Sequence, residues 1–260
     1  MKRSILTVLV VASGIFGLMA QAPAPQAKPP AQQGPAPKSQ GEAQALGALQ
    51  AAQGNPDAMI KACDELLTKY ADTDFKELCL YMQAISYEQK GDLDKATIYG
   101  ERVLEINPKN FQVTLMLGQM LAQRTRENDL DKEEKLTRAD KMLNGTIESL
   151  KTAPKPNPQV TDQMWEDGRK QMTAEAHNGL GLIALTRKKY DAAVKEFQIA
   201  FDGDPQPAYS VRLASALQYQ GKNAEAIAIV DKLMADPQLH PQIKGVAQQV
   251  KNAATAASKK

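Results

Sequence analysis

The sequence predicts an all-α protein in which about five similar helix pairs stack one on the next, followed by a C-terminal capping helix. Three observations lead to this fold class. The composition is rich in Ala, Gln, Lys and Leu and only 5% aromatic, which favours helices over strands. No run of alternating Val, Ile or Thr follows residue 20. Two sequence marks recur about every 34 residues, which indicates a repeated structural unit.

The first 22 residues have the features of a secretory signal peptide. Lys2 and Arg3 precede the apolar run ILTVLVVASGIFGLM, which ends at small residues. We expect cleavage after Ala20 or Ala22 and export to the periplasm of a Gram-negative-type bacterium. The alternative is an uncleaved segment that anchors the chain in the inner membrane, and only in that case is the membrane a partner.

The next segment and the last residues are predicted to lack a fold of their own. Residues 23–41, PAPQAKPPAQQGPAPKSQG, contain little that a core could bury, so we expect a disordered linker. The repeat domain is predicted over residues 42–252. Residues 253–260, AATAASKK, are expected to form a disordered tail.

The repeat is defined by two independent marks. The first mark is a residue that follows Leu or Gln and is small in all but one case. It recurs at intervals of 34, 34, 63 and 33 residues in the pairs Leu49-Gln50, Gln83-Ala84, Leu117-Gly118, Leu180-Gly181 and Leu213-Ala214. The second is an Ala that opens a second helix, at intervals of 34, 43, 54 and 33 residues: Ala62, Ala96, Ala139, Ala193 and Ala226. The excesses of 9 and 20 residues in the second series together equal the excess of 29 in the first. Both series therefore describe one unit with insertions in a single region.

The best-preserved unit has the residues Leu180-Gly181, Tyr190, Ala193, Phe197, Ala200 and Pro205. This pattern resembles the tetratricopeptide repeat, a helix-turn-helix unit with the consensus Trp-x2-Leu-Gly-x2-Tyr, Ala-x3-Phe and Pro. The resemblance implies a right-handed superhelical solenoid in which each pair covers the apolar face of its neighbour. The units are 43–76, 77–110, 111–151, 174–206 and 207–240, with a helical extension over 161–173 and a capping helix over 242–252.

The two insertions allow alternative interpretations. The first contains six basic and six acidic residues between Arg124 and Lys141 and forms either a protrusion that contacts a partner or a longer turn with solvated helix ends. The second introduces a helix capped by Thr161 and carries Trp165. This side chain is either an exposed anchor for a partner or a plug against the preceding repeat, and the plug is favoured.

Two cysteines, Cys63 and Cys79, fall on neighbouring helices. An exported chain meets an oxidising compartment, where a disulfide persists. The helix register staggers the two residues along the helix pair, which favours two separate buried thiols. Both interpretations stay open at the level of the sequence.

The residue pattern gives little support for catalysis. Of 32 basic and 30 acidic residues, Lys2 and Arg3 leave with the signal peptide, so the mature chain is balanced and nucleic-acid binding is disfavoured. His177 and His240 lie far apart, and His177 occupies a packing position of the repeat. No cluster has metal-ligand spacing, and neither a cofactor nor a metal is expected. The turns DTD (72–74) and DGD (202–204) match ordinary inter-repeat turns.

What remains is a surface for binding. The resemblance implies that the first helix of each pair lines a concave groove that binds peptides or helices. The predicted groove residues are Tyr81, Ile85, Gln89, Gln119, Gln123, Asn178, Leu182, Gln218 and Tyr219. We therefore expect a non-catalytic scaffold of the cell envelope that binds a protein or peptide segment. The alternative is an anchored accessory factor of a secretion, pilus or outer-membrane assembly machine, and an envelope enzyme with a pocket at His177 or the DGD turn is a third class.

Overall fold

The computed structural model describes residues 35–157 and 159–258, and within these residues all regular structure is helical. The predicted signal peptide and most of the predicted linker lie outside the described residues. The described part contains these helices: α1 (Gln40–Ala51), α2 (Pro56–Lys69), α3 (Lys76–Gln89), α4 (Leu93–Ile106), α5 (Phe111–Arg124), α6 (Lys132–Thr152), α7 (Asp162–Thr186), α8 (Tyr190–Gly203), α9 (Pro207–Tyr219), α10 (Asn223–Met234) and α11 (Pro241–Ala257).

The helices follow one another in pairs, α1–α2 through α9–α10, with α11 last, so the predicted all-α fold of five helix pairs and a final helix is confirmed. The chain divides into two compact units, one up to Val113 and one from Thr114, with the boundary in the first turn of α5. Over the described segments, none of the helices combines the length and the apolarity that crossing a membrane requires.

Helix starts are set by side-chain caps that the sequence supplies. Ser39 Oγ accepts from the Glu42 N–H at 3.1 Å, and Asn55 Oδ1 accepts from the Ala58 N–H at 3.1 Å. Thr161 caps α7 in the same way, as predicted, by accepting from the Met164 N–H at 3.1 Å. Each cap satisfies one of the N–H groups that the first turn of a helix leaves without a partner.

Three first helices end in the same backbone motif. Gly91, Lys188 and Gly221 have φ angles of 76°, 58° and 88° and occupy the same position of the repeat. In each case the next residue donates its N–H to the carbonyl five residues before it, as Lys189 does to Ala184 at 2.8 Å. This is the Schellman ending, in which a left-handed residue turns the chain out of the helix. Of these three residues, only Lys188 has a side chain, and its Cβ makes the left-handed conformation sterically unfavourable.

Replacing Lys188 with Gly is expected to raise the free energy of unfolding by up to about 1 kcal/mol, because Gly adopts positive φ without a Cβ clash. The change also removes the ion pair between Lys188 and Glu127, but that pair is exposed and contributes little. Urea unfolding of the variant against wild type measures the difference. Gly221→Ala is the reciprocal control and should lower stability by a similar amount; equal stability of all three proteins would contradict the steric explanation.

In the first unit, α2 packs against both α1 and α3. Their shared core contains Leu49, Leu66 and the two cysteines, both fully buried. The turn DTD closes this core, since Thr73 Oγ1 donates to the buried Glu42 carboxylate at 2.6 Å. The chain before α1 is tied to the same turn, and helix α1 starts at Gln40, inside the segment predicted to be a linker.

In the second unit, one continuous apolar cluster runs through α7, α8, α9, α10 and α11. The small residues of the repeat permit the close helix approach that the cluster needs. A Cβ on Gly118 would lie 2.9 Å from Leu143 Cγ, and one on Gly181 would lie 2.5 Å from Phe197 Cδ1. Ala214 is likewise fully buried. Side-chain volume at these positions is therefore limited by the partner helix.

The second insertion lengthens α7 into one continuous helix of 25 residues. Trp165 on this extension is only 6% exposed, and its Nε1–H donates to the Ala153 carbonyl at 3.3 Å. The Arg169 guanidinium donates to the Leu150 carbonyl at 3.1 Å. Both contacts join the extension to the C-terminal end of α6. The interpretation of Trp165 as an exposed anchor is therefore wrong, and the plug interpretation is confirmed.

The first insertion forms the turn before α6 and the first turns of that helix. Its charges pair within the second unit: Lys135 with Asp131 at 2.8 Å, and Glu133 with Arg187 at 3.0 Å. The Arg187 guanidinium also donates to Thr137 Oγ1 at 3.0 Å. The segment is thus a longer turn held against the end of α7, which is the second of the two interpretations that the sequence allows.

The last helix is longer than the predicted cap. Helix α11 continues to Ala257, beyond Asn252, where the tail was expected to begin. The reason is apolar burial, because Ala247, Val250 and Ala254 lie on one face of α11 and pack into the cluster of the second unit. The composition of AATAA predicts a loose tail. These residues instead continue α11, because the buried face of the helix extends to Ala254.

Candidate functional site

The nine predicted groove residues all lie on first helices of the pairs. Helix α3 of the first unit carries Tyr81, Ile85 and Gln89. The second unit carries the other six: Gln119 and Gln123 on α5, Asn178 and Leu182 on α7, and Gln218 and Tyr219 on α9. Their exposure differs greatly, and it separates residues that a partner reaches directly from residues that hold the helices together.

Of the three predicted groove residues on α3, Gln89 is exposed, whereas Tyr81 and Ile85 are half-buried. Burial raises the pKa of Tyr81 above its usual range, and the nearby Glu88 carboxylate adds to the effect. The Tyr81 hydroxyl is a neutral hydrogen-bonding group.

On α5 and α7, two of the predicted groove residues link neighbouring first helices. Gln119 is 4% exposed, and its amide donates to the Glu175 carbonyl of α7. Asn178 is 2% exposed, and its Oδ1 accepts from the Arg212 guanidinium of α9 at 2.5 Å. These amides are occupied by the protein itself, so their first role is to align α5, α7 and α9.

The residues that a partner can reach lie near the C-terminal ends of the first helices. Gln89, Gln123 and Tyr219 occupy the same position in their repeats, five residues after the small residue, and all three are exposed. Leu182 and Gln218 are half-buried beside them. Each unit thus presents a neutral edge of amide and phenol groups, and we call these exposed residues the first-helix edge.

A cavity of about 480 Å³ opens beside the first-helix edge in the second unit. Tyr219 is 53% exposed and stacks on Tyr190, with ring centroids 5.5 Å apart and an angle of 13° between the planes. The cavity is bounded by the α7–α8 turn and the end of α9, and its walls come from Lys188, Lys189, Tyr190, Asp191, Ala192, Tyr219 and Gln220. A flat side chain or a short peptide segment can lie on the open face of the Tyr219 ring.

Most of this cavity lies outside the predicted groove, which includes Tyr219 but not Tyr190. In the sequence, Tyr190 is a mark of the repeat. The signal was present in the sequence, since Tyr190 starts the helix that follows the Lys188 turn. A projection of α9 alone does not include Tyr190, because Tyr190 belongs to α8, the second helix of the preceding pair.

The groups considered for catalysis have structural partners. His177 Nδ1 lies 2.7 Å from Glu196 Oε2, which links α7 to α8. The DGD turn contains Gly203, where an added Cβ would lie 3.2 Å from Ala174 Cβ, so close helix packing explains this glycine. Within the described segments, no group of three or more His, Cys, Asp or Glu side chains is arranged to hold a metal ion.

Comparison with known families agrees with the fold. Residues 79–110 and residues 167–208 each match a model of the tetratricopeptide repeat. These segments contain α3–α4 and most of α7–α8, which are the two units with the best-preserved pattern. No curated protein matches the sequence at a significant level.

Solved structures of low sequence identity share the fold. A thermophilic tetratricopeptide-repeat protein of Thermus thermophilus superposes with a TM-score of 0.53 at 18% identity, over 80% of this chain and 98% of that one. An assembly chaperone of RpL4 (TM-score 0.48, 14% identity, 84% and 98% covered) and a tetratricopeptide-repeat protein of Parabacteroides merdae (0.46, 17%, 85% and 92%) are more distant, so the fold comparison rests on the first. With its sequential helix pairs and two matching segments, the chain contains tetratricopeptide repeats within an all-α solenoid fold.

Proposed function

We propose that this protein is a non-catalytic scaffold that binds a peptide or protein segment along its first helices. Tetratricopeptide repeats generally mediate protein–protein interaction, and no enzyme family matches the chain. The observation that carries the proposal is the exposed first-helix edge, where Tyr219 borders a cavity of about 480 Å³. The buried side chains of Gln119 and Asn178 form hydrogen bonds to neighbouring first helices and so align the helices that carry this edge.

The chemistry of the edge defines the kind of partner. Amide and phenol groups donate and accept hydrogen bonds without carrying charge, and the Tyr219 ring provides apolar contact area. Such a surface suits an extended segment with free backbone groups and an apolar or aromatic side chain. Lys188, Lys189 and Asp191 line the same cavity, so charges of both signs flank these neutral groups.

Location in the cell envelope is part of the proposal and rests on the N-terminal sequence. The basic start, the apolar run and the small residues at Ala20 and Ala22 support export with cleavage. Intact mass of the protein recovered from cells separates this proposal from the anchored alternative. A chain that starts at Gln21 or Pro23 supports a free periplasmic scaffold, whereas a chain that retains its first residues supports the anchored accessory factor.

Site-specific photocrosslinking in cells tests the binding surface. A benzophenone amino acid at Tyr219 or at Gln123 is expected to capture the same partner, because both positions belong to the first-helix edge. The matched control is Ile98, which is 56% exposed but lies on the second helix α4. Competition by excess unlabelled protein should reduce capture at both edge positions.

The Ile98 control distinguishes specific binding at the first-helix edge from nonspecific crosslinking. Capture of the same partner with equal yield at Ile98, or no capture at Tyr219 and Gln123, would contradict binding at the first-helix edge. A Gln123 and Tyr219 double alanine variant should lose the partner and keep its unfolding midpoint, since these exposed side chains contribute little to stability.

A further inference from the structure

The two cysteines of the chain meet at one interface in the first unit. Cys63 lies on α2 and Cys79 on α3, and neither has any solvent-exposed area. Both belong to one buried apolar cluster that α1, α2 and α3 share. They are two buried thiols in this structure, as the favoured interpretation has it. No disulfide joins them in the structure.

A second, independent contact fixes the two helices at this level. Gln83, one turn after Cys79 on α3, donates from Nε2 to Asp64 Oδ1 on α2 at 2.6 Å. Asp64 is the residue after Cys63, so backbone segments next to both cysteines are held together by a side-chain bridge. Leu66 is fully buried in the same cluster, so the space around the two cysteines is closely packed.

We propose that Cys63 and Cys79 form an interhelix disulfide during folding, by exchange with a disulfide-containing oxidant of the glutathione-disulfide class. One cysteine thiolate attacks a sulfur of the oxidant and releases the first thiol. The second cysteine then attacks the mixed disulfide and releases the other thiol. Two electrons and two protons pass from the cysteine pair to the oxidant, which leaves as two thiols.

The exchange takes place before the first unit closes. The hydrogen bond with Cys79 raises the pKa of the Cys63 thiol well above its usual range, and burial adds to this effect. Since the thiolate is the reactive form and both sulfurs are inaccessible, the folded reduced protein reacts slowly. An unfolded chain that emerges into an oxidising compartment reacts quickly, and folding then brings the two sulfurs together.

The bond would join the first repeat to the second. Helix α2 ends the first pair and α3 starts the second, so a disulfide between them covalently holds the neighbour contact on which repeat stacking depends. It closes a short chain loop, which reduces the freedom of the unfolded chain. The proposed export matters only as the source of an oxidant, and the disulfide itself forms with any oxidant of the stated class.

Refolding the full chain in a glutathione redox buffer tests the proposal. After acid quenching and alkylation, intact mass is expected to show both cysteines protected, and proteolysis should yield a peptide that links residue 63 to residue 79. The oxidised protein should melt roughly 5–10 °C above the same protein reduced with a phosphine. Already folded, reduced protein should acquire the bond many-fold more slowly than the refolding chain.

The single variants Cys63→Ala and Cys79→Ala provide the controls. Neither should melt at a higher temperature in oxidising buffer than in reducing buffer, because neither can form the interhelix bond. Full alkylation of both cysteines in wild type refolded under oxidising conditions would overturn the proposal, as would an oxidised protein that melts below the reduced one. Loss of partner capture at Tyr219 has no bearing on this result, so the two proposals fail separately.

Discussion

Replacing Trp165 with Ala is expected to lower the free energy of unfolding by about 3–5 kcal/mol, the range for large aromatic side chains removed from a packed site. Trp165 is the only Trp of the chain and is 6% exposed. It fills the contact between the α7 extension and the end of α6, and its indole N–H satisfies the Ala153 carbonyl at 3.3 Å. Ala leaves both a cavity and a carbonyl without its donor.

The neighbouring Met164 provides the matched control. It lies on the same helical turn but is 59% exposed, so Met164→Ala should change stability by no more than about 0.5 kcal/mol. Urea unfolding followed by far-UV circular dichroism measures both variants. In wild type, Trp165 fluorescence should shift to longer wavelength on unfolding. Equal unfolding midpoints for the Trp165 and Met164 variants would contradict the role of Trp165 as a plug.

Replacing Gly181 with Ala is expected to destabilise the protein even though Ala is the better helix former. The new Cβ would lie 2.5 Å from both Cδ1 and Cε1 of Phe197, whose ring is fully buried and cannot swing away. Overpacking of this kind costs about 1–3 kcal/mol, against a gain of about 1 kcal/mol from helix propensity. We expect a net loss of about 1–2 kcal/mol for Ala and a larger loss for Val.

Gly145 separates the steric effect from helix propensity. It lies within α6, and an added Cβ there would meet no atom within 4 Å. Gly145→Ala should therefore stabilise the protein by about 0.5–1 kcal/mol. In a Phe197→Leu background, Gly181→Ala should cost less than in wild type, because the two positions are in contact and their effects are not additive. Stabilisation by Gly181→Ala in wild type would contradict the close approach of α7 and α8.

The helix pairs could be predicted from the sequence because their requirements are local. A small residue is needed where two helices touch, as at Gly181, and a left-handed residue where a first helix ends, as at Gly221. Both requirements recur with each repeat, so their spacing reveals the unit even when most other residues vary. The insertions were located in the same way, by the residues they add between marks.

The candidate site was harder to predict because exposure depends on neighbours distant in sequence. A projection of α5 alone puts Gln119 and Gln123 on one surface, yet α7 covers the first and leaves the second free. Asn178 is covered in the same way by α9 through Arg212. That Cys63 and Cys79 share one buried cluster likewise depends on how α3 packs along α2, which the residues of either helix alone do not specify.

Equilibrium unfolding of two fragments tests the central claim that each helix pair is stable because its neighbour covers its apolar face. Residues 161–260 contain α7–α11 and the whole apolar cluster of the second unit, whereas residues 206–260 contain α9–α11 without the α7 and α8 side chains that contact them. We predict a cooperative urea transition for the longer fragment and a marginal helix content without a cooperative transition for the shorter one. A shorter fragment that unfolds cooperatively at the same urea concentration as the longer fragment would contradict the claim.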